Sequence, residues 1–455
     1  MLMRVPASIE MPQEKTVMVK KLTWALAATV IFLGTGPVQA GELEELKAML
    51  LTLQERIARL EAKQNAAPTT APAPTPAKPA VPVIAGDLPG SIKIPGSDTS
   101  LKIYGYAQLD ATHDFKGRTG DINNNDYASV IFVQPFDSGP NGNARKGQTY
   151  FTARTSRLGL MTSTPTPSGA LTIKVEGDFN APNQFQGELG PNGMIFRLRH
   201  AYGELGNWLV GQTWSNFLDL RSYPETVDFN PPGSVGLLRH PQVRYTHGVG
   251  GATMSMAIEN PQSLTFANDF DRTPDFTLRM AKGGDWGHVS AQAATLEYRN
   301  DNHSKRGYGL GVSGSFALGR DTLAWGLQGG DGIGRYMFNS ILQGATDTGT
   351  DIRTWRANGR NVGYTHVWNP TVRSNLVLSQ TRFGSDALAN AAQRALGNAD
   401  LFPNRELDQV FVNTFWGVAK NTEIGLEYAY GRRVTQNDEV GTQKRVNATV
   451  HYNLY

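Results

Sequence analysis

Apolar and polar residues alternate in short stretches that recur throughout 98–455. In residues 169–179, apolar side chains occupy every second position, and polar or charged side chains occupy most of the positions between them. The same alternation occurs at 100–112, 275–281 and 422–433. A period of two is typical of β-strands, whose successive side chains point to opposite faces. No long helical pattern separates these stretches, so this region is predicted to be all-β and a βαβ fold is excluded.

The polar faces of these predicted strands carry charged residues, whereas the core faces of a soluble β-sandwich are apolar. A charged face on one strand after another fits the water-filled interior of a membrane barrel. Aromatic residues such as Tyr452 end the apolar stripes, as interface girdles do. The predicted connections alternate between brief turns such as 205–208 and long polar segments such as 112–148 and 384–406. We therefore predict a transmembrane antiparallel β-barrel over 98–455, with about 16 strands at roughly 22 residues per strand and connection.

Composition excludes several other classes of protein. The 455 residues are 40% hydrophobic, and no apolar run reaches the ~18 residues of a membrane-spanning helix. The net charge of +3 is too small to indicate a nucleic-acid partner. The absence of cysteine excludes disulfides and thiolate metal sites. The histidines show no metal-ligand spacing, so we expect neither a metal site nor a cofactor.

The N-terminus has the pattern of a secretory signal peptide. Two lysines precede the apolar run Leu22–Gly34, and small residues follow up to Ala40. The run is too short to span a membrane, so we predict cleavage after Ala40 and a signal peptide over 1–40. Met18 precedes the lysines closely and is a more usual start than Met1. The mature chain is therefore expected to leave the cytoplasm.

The segment 41–65 is predicted to form a coiled coil. Its apolar residues recur at alternating spacings of three and four, which places them on one narrow seam of a helix. The seam consists of Leu43, Leu46, Leu50, Leu53, Ile57 and Leu60. Arg56 and Glu61 flank its last turn, as in the trimer signature Arg-apolar-x-x-apolar-Glu, so we expect three chains to associate here. Residues 66–97, rich in proline and alanine, would follow as a semi-rigid linker.

Two arginines in one predicted strand must point either to lipid or to the barrel interior. Phe196, Leu198 and Tyr202 lie two or four residues apart, as on one face of a strand. Arg197 and Arg199 fall on the opposite face. Placing both guanidinium groups in hydrocarbon would cost ~2–4 kcal/mol each near the bilayer midplane. We therefore predict that the apolar face contacts lipid and that both arginines face the lumen.

The same reasoning places further arginines in the lumen, namely Arg157, Arg239, Arg244 and Arg279. The register of Arg239 is less defined because Pro241 follows it, and the registers of Arg360 and Arg382 stay open. Arginine binds a carboxylate or phosphate through a planar fork that is always charged. The lumen arginines could line the pore as a ladder, which their clustering on consecutive early strands favours. Alternatively, they pair with lumen carboxylates such as Glu176, Asp178, Glu204 and Glu259.

Five segments in order resemble the DcaP-like trimeric outer-membrane porins. They are DTSLKIYGYAQLDATHDF (98–115), YFTARTSRLGL (150–160), FRLRHAYGEL (196–205), GQTWSNF (211–217) and RHPQVRYTH (239–247). The resemblance spans the coiled coil, the linker and essentially all of the barrel. It implies a trimeric porin with about 16 strands, helical N-termini that meet in the periplasm, and a basic constriction that takes small, often anionic solutes. The C-terminus departs from the pattern, because Tyr455 is one residue out of phase with the outward stripe that ends at Leu454.

The segment Ser215–Gly236 is too long for a plain hairpin connection. Its place after the second arginine-bearing hairpin resembles the constriction loop that folds inward in general porins. Asp219, Glu225 and Asp228 would then face the arginines and set a transverse electric field across the pore. The alternative is an ordinary external loop.

These observations favour an outer-membrane porin for passive diffusion of small hydrophilic solutes, with a preference for anions such as dicarboxylates. The expected partners are two further copies of the chain, outer-membrane lipid and lipopolysaccharide, small anionic solutes and peptidoglycan. An alternative function is a structural tether between outer membrane and cell wall with little transport, although a pure tether needs no arginine ladder. An enzyme is not expected, since nothing indicates that Ser156 and His200, the nearest candidate pair, meet.

Overall fold

The computed structural model describes residues 51–52, 55–56, 58–59, 84–117, 147–181, 195–230, 232–261, 269–340, 343–395 and 403–454. The chain divides into two compact units, Met1–Ala80 and Val81–Tyr455. In the first unit, the described residues are helical and exposed, and Arg56 is among them. The predicted signal peptide, the seam residues with Glu61, and most of the linker lie outside the described residues. The coiled coil therefore stays a prediction.

In the described part of the second unit, sixteen antiparallel strands close into a barrel, as predicted. A short strand β1 (Ile92–Lys93) precedes the first wall strand, β2 (Ser100–Lys116). The second wall strand consists of two pieces, β3 (Gln148–Thr152) and β4 (Arg157–Thr166), which both pair with β2. At the seam of the barrel, β2 also pairs with the last strand, β20 (Val440–Asn453). Closure is required in lipid, because an open edge would leave backbone groups without hydrogen bonds.

The other wall strands follow one another around the barrel in chain order. They are β5 (Gly169–Ala181), β6 (Ile195–Leu205), β7 (Trp208–Trp214), β8 (Arg239–Val249), β9 (Ala252–Glu259), β10 (Asp275–Gly284), β11 (Gly287–Arg299), β12 (Ser304–Leu318), β13 (Asp321–Asp331), β16 (Arg356–Asn369), β17 (Val372–Phe383), β18 (Asn404–Ala419) and β19 (Thr422–Thr435). Two short strands, β14 (Ala345–Asp347) and β15 (Ile352–Thr354), pair with each other between β13 and β16. One helix, α1 (Ala387–Ala395), follows β17. Among the described residues, no helix is long and apolar enough to cross a bilayer.

The two ends of the barrel differ in the length of their connections. At one end, turns such as 205–208, 318–321 and 369–372 leave only two residues between strands. At the other end the connections are longer, as between β7 and β8 and between β13 and β16. Bacterial outer-membrane barrels have short periplasmic turns and long extracellular loops. The long-loop end is therefore assigned to the extracellular side.

The predicted alternation of faces is confirmed in the strands that defined it. In β5, Ile173 and Val175 are exposed on the outer wall, whereas Glu176 and Asp178 are buried inside. In β6, Phe196 and Leu198 are likewise exposed, at 51% and 47%. An exposed apolar outer wall with charged groups inside is the inverse of a soluble protein, as a lipid-facing barrel requires.

The face predicted for Tyr202 was wrong. The pairing of β5 with β6 shifts by one residue between Leu198, which pairs with Gly177, and His200, which pairs with Glu176. This bulge reverses the alternation, because it inserts one extra residue into the strand. Tyr202 therefore pairs with the inward Lys174 and points into the lumen. Arg199 lies in the bulge itself and also points inward.

Two extracellular connections fold into the barrel and pack against each other. The first, 215–238, joins β7 to β8, and the second, 332–355, joins β13 to β16. Their apolar residues form a buried cluster inside the barrel, in which the Phe217 and Tyr336 rings contact each other with centroids 5.4 Å apart. Met337 in the same cluster is fully buried. This small hydrophobic cluster narrows the lumen. The loop predicted at 215–236 folds into the barrel in the structure.

Candidate functional site

Two arginines of β6 form ion pairs with two carboxylates of β5 on the lumen wall. Arg197 holds Asp178 with two hydrogen bonds, Nε to Oδ1 at 2.9 Å and Nη2 to Oδ2 at 2.8 Å. Arg199 donates from Nε to Oε1 of Glu176 at 2.9 Å and from Nη1 to Oδ2 of Asp178 at 2.7 Å. The side chain of Arg199 is only 4% exposed, whereas that of Arg197 is 35% exposed. Both arginines therefore point inward, and both are paired.

Glu176 is also approached by two further cations. The Nε atom of Arg157 lies 3.5 Å from Oε1 of Glu176, and Nζ of Lys174 lies 3.3 Å from Oε2. The guanidinium of Arg157 lies over the Tyr106 ring at 5.0 Å. Together with the β6 arginines, four cations thus surround two carboxylates, which leaves an excess of two positive charges. Pairing therefore does not cancel the positive character of this wall.

Three more predicted lumen arginines are held by carbonyl oxygens and an aromatic ring instead of carboxylates. Arg244 donates from Nη2 to the carbonyl of Trp214 at 2.6 Å, and Arg279 donates from Nη1 to the carbonyl of Leu218 at 3.0 Å. The guanidinium of Arg239 lies 3.8 Å from the centroid of the Trp214 ring. None of the three has a carboxylate of the described residues within 4.0 Å. Pro241 does not disturb this arrangement, since it pairs within the β7–β8 ladder.

A carboxylate and an arginine of the wall facing the β6 arginines bind the loop 215–238. Glu427 of β19 accepts the backbone N–H groups of Val227 at 2.8 Å and Asp228 at 2.9 Å. Arg373 of β17 donates two hydrogen bonds to Glu225, Nε to Oε2 at 2.7 Å and Nη2 to Oε1 at 2.6 Å. The loop therefore crosses the lumen instead of leaving the barrel.

The crossing loop and the arginine wall enclose a cavity of about 370 Å³. Arg157, Arg199 and Arg239 line it from the wall, and Glu225 and Asp228 line it from the loop. Five of the predicted site residues, distant in sequence, thus line one cavity, with arginines on one side and acidic residues on the other. Such an arrangement produces an electric field across the cavity.

The remaining predicted loop acid does not face the arginines. Asp219 is buried, and its Oδ2 atom lies 2.8 Å from Nε2 of His288 and 2.9 Å from the Ser313 hydroxyl. It fixes the start of the loop to β11 and β12. Arg197, Arg244 and Arg279 do not line the shared cavity either, although they point into the lumen.

Asp228, on the loop side of the cavity, has a raised pKa. Burial raises the pKa of Asp228 to about 7, against the opposing effect of the Arg445 guanidinium, while the charge of Glu427 adds to the rise. An ordinary aspartate is ionised throughout the neutral range. The charge that Asp228 contributes to the loop side of the cavity therefore changes near neutral pH.

Sequence reasoning missed three arginines that shape this region. Arg335, in the second inward loop, is buried and holds Asp275 with two hydrogen bonds of 2.9 Å. Arg445 holds Asp114 at 2.7 and 2.9 Å, and Arg373 anchors the crossing loop. Alternation in the last strand would have placed Arg445 inside. The pairing of Arg335 with Asp275 requires the loop 332–355 to fold inward, which the sequence pattern did not predict.

The described residues give no indication of a catalytic centre. The Ser156 hydroxyl accepts the backbone N–H of Gln108 at 3.0 Å, and Nδ1 of His200 lies 2.9 Å from the Thr213 hydroxyl. No hydrogen bond joins Ser156 to His200 among the described contacts. In the same part of the chain, no group of three or more His, Asp or Glu side chains could hold a metal ion.

Comparison with known proteins identifies the family. The family of the DcaP outer membrane protein matches residues 87–454. The outer membrane channel DcaP of Acinetobacter baumannii is similar with 24% identity over 82% of this chain and 100% of that chain, at a TM-score of 0.68. An anion-selective porin from Comamonas acidovorans has 13% identity over 78% and 100% of the two chains, at a TM-score of 0.53. OmpF of Salmonella typhi, in complex with daunomycin, has 12% identity over 78% and 98%, at a TM-score of 0.51.

A comparison with curated protein sequences gives no match. The structural likenesses, all below 25% identity, show the shared barrel fold. The family match covers most of the chain, including every wall strand described above. The chain therefore belongs to the DcaP outer membrane protein family and has the porin-like fold of an outer-membrane channel.

Proposed function

We propose that this protein is a passive outer-membrane channel for small hydrophilic solutes and that it favours anions, dicarboxylates among them. The observation that carries the proposal is a set of three lumen arginines, for which the described part of the chain supplies no carboxylate within 4.0 Å: Arg239, Arg244 and Arg279. A fixed charge in a narrow aqueous passage concentrates counter-ions, because screening there is incomplete. Arginine also binds carboxylates through its planar fork.

The opposite charges on the two sides of the cavity would select a solute by its orientation as well as by the sign of its charge. Arg157, Arg199 and Arg239 face Glu225 and Asp228 across the same cavity. A solute with a carboxylate at one side would turn that group toward the arginines while passing. This arrangement serves transport and has no use in a barrel that acts only as an anchor. The tether alternative rests on the coiled coil and linker, which lie largely outside the described residues.

A homotrimer in the outer membrane completes the proposal. The trimer signature of 41–65 supports it. The resemblance of the sequence to the trimeric porins of this family supports it as well. Lipopolysaccharide on the outer side and peptidoglycan on the periplasmic side stay expected partners. Analytical ultracentrifugation of the full chain in detergent tests the trimer: a monomer would contradict it.

Reversal-potential measurements on single channels in planar bilayers test the proposed selectivity. Under a tenfold gradient of potassium chloride, we expect a potential of the sign that chloride permeation produces. Added succinate should reduce chloride current in a concentration-dependent way, whereas the uncharged analogue succinamide should not. A cation-selective channel, or a barrel that inserts and does not conduct, would overturn the proposal.

A further inference from the structure

A band of polar and charged residues lies on the outer wall, directly above the apolar lipid-facing stripes. The last apolar outward residues of five neighbouring strands are Leu327, Val362, Leu378, Val410 and Tyr430. The next outward positions toward the long-loop end hold Gly329, Arg360, Gln380, Asp408 and Arg432. The registers left open from sequence are thus decided: Arg360 and Arg382 face outward, away from the lumen. This level of the wall corresponds to the head groups of the outer leaflet.

Part of this band is concave. A depression of about 690 Å³ opens on the outer wall, with Leu310, Val312 and Leu327 among its apolar residues and Arg356 and Arg360 among its polar ones. Gly329 also lines it. A Cβ atom at Gly329 would lie 2.6 Å from Oδ1 of Asn358 and 2.7 Å from the carbonyl oxygen of Ala357, so any side chain there would collide. The glycine keeps the depression open.

The arginines around the depression differ in whether they have an acidic partner. On the neighbouring strands the arginines have acidic partners: Arg382 lies 2.8 Å from Asp408, and Arg432 lies 3.1 Å from Glu406. Arg360 donates to the uncharged Gln380 instead. Within the part of the chain that the structure describes, neither Arg356 nor Arg360 has a carboxylate within 4.0 Å. Both are exposed.

We propose that this depression binds the phosphorylated head group of an outer-leaflet lipid. The guanidinium forks of Arg356 and Arg360 match a phosphate in charge and geometry. The apolar residues Leu310, Val312 and Leu327 lie beside them and would contact the lipid below its head group. A phosphorylated lipid has this combination of anionic head and apolar body at this depth, and free phosphate lacks the apolar part. The site is independent of conduction, because it faces away from the lumen.

Lipopolysaccharide is the probe for this site. Full-length protein refolded without lipid is titrated with purified lipopolysaccharide in detergent, and bound lipid is counted by native mass spectrometry. The double variant Arg356→Ala/Arg360→Ala should bind lipopolysaccharide at least about tenfold more weakly, since it loses charge-assisted hydrogen bonds to the phosphate. The control variant Arg320→Ala/Lys420→Ala removes two positive charges from exposed turns at the opposite end of the barrel. It should bind like the natural chain.

Four results would overturn the proposal. The first is unchanged binding by the double variant, and the second is equal binding of enzymatically dephosphorylated lipopolysaccharide. The third is displacement of the lipid by inorganic phosphate at equal concentration, which would indicate a site for free phosphate. The fourth is loss of oligomeric state in the double variant alone, which would indicate that another copy of the chain covers this wall.

Discussion

The guanidinium carbon of Arg239 lies 3.8 Å from the centroid of the Trp214 ring, at the point where the crossing loop leaves the wall. The aromatic face stabilises a positive charge without neutralising it. Arg239 lines the cavity beneath the crossing loop together with Arg157 and Arg199, so three guanidinium groups lie on one wall of this cavity. An aromatic support keeps a cation in place beside other cations, where a carboxylate would have cancelled its field.

Replacing Arg239 by alanine should reduce anion selectivity. A unit charge about 7 Å from a passing ion changes its energy by about 0.6 kcal/mol in water, which corresponds to about a threefold change in permeability ratio. Reversal potentials under a salt gradient measure this ratio. Arg432→Ala removes the same charge from the outer wall and serves as the control, with no change expected. Equal ratios for the natural chain and Arg239→Ala would exclude Arg239 from the ion path.

Removing both β6 arginines should destabilise the barrel as well as alter its selectivity. In Arg197→Ala/Arg199→Ala, the buried carboxylate of Asp178 loses both of its arginine partners. Glu176 loses the hydrogen bond from Arg199 and keeps only the more distant Arg157 and Lys174. Breaking a buried pair from one side costs about 3–5 kcal/mol. The temperature at which the barrel unfolds on a heat-modifiability gel should therefore fall, and the reversal potential should shift toward cation selectivity.

A matched variant separates these two effects. Adding Glu176→Gln and Asp178→Asn to the double variant removes the two carboxylate charges that have lost their β6 arginines. The unfolding temperature should then rise again toward that of the natural chain. If the double variant is as heat-stable as the natural chain, the ion pairs do not support the barrel.

The selectivity of the channel should depend on pH through Asp228. Because burial raises the pKa of this carboxyl to about 7, it is ionised above that pH and becomes neutral as the pH falls below it. Acidification from pH 8 to pH 6 should therefore remove a negative charge from the passage and raise anion selectivity. Asp228→Asn should show the high anion selectivity at both pH values. A pH dependence that persists unchanged in this variant would assign it to another group.

Loosening the crossing loop should widen the passage. Glu427 accepts two backbone N–H groups of the loop, from Val227 and Asp228. Glu427→Ala removes both acceptors, so single-channel conductance and current noise should rise. Glu427→Gln keeps one acceptor oxygen and should give an intermediate effect. Identical single-channel traces for all three proteins would show that the loop holds its place by other contacts.

The class of fold and the direction of most side chains follow from the residue pattern alone. Alternation along β5 separates Ile173 and Val175 from Glu176 and Asp178, because a strand has a period of two and charge is costly in lipid. The same penalty fixed Arg197 and Arg199 inside. The spacing of strands and turns predicted about sixteen strands, and the length of 215–236 indicated an inward loop. All of these are local properties of the chain.

Which of these side chains contact one another depends on the folded barrel. One extra residue at the β5–β6 bulge turned Tyr202 inward, and alternation cannot reveal such an insertion. The link between Val227 and Glu427 joins residues 200 positions apart, and it exists only once the barrel has closed. The outward direction of Arg360 depends likewise on the register of β16 against its neighbours. Pairings across a closed barrel follow from the register of every strand between them, so no single stretch of sequence contains them.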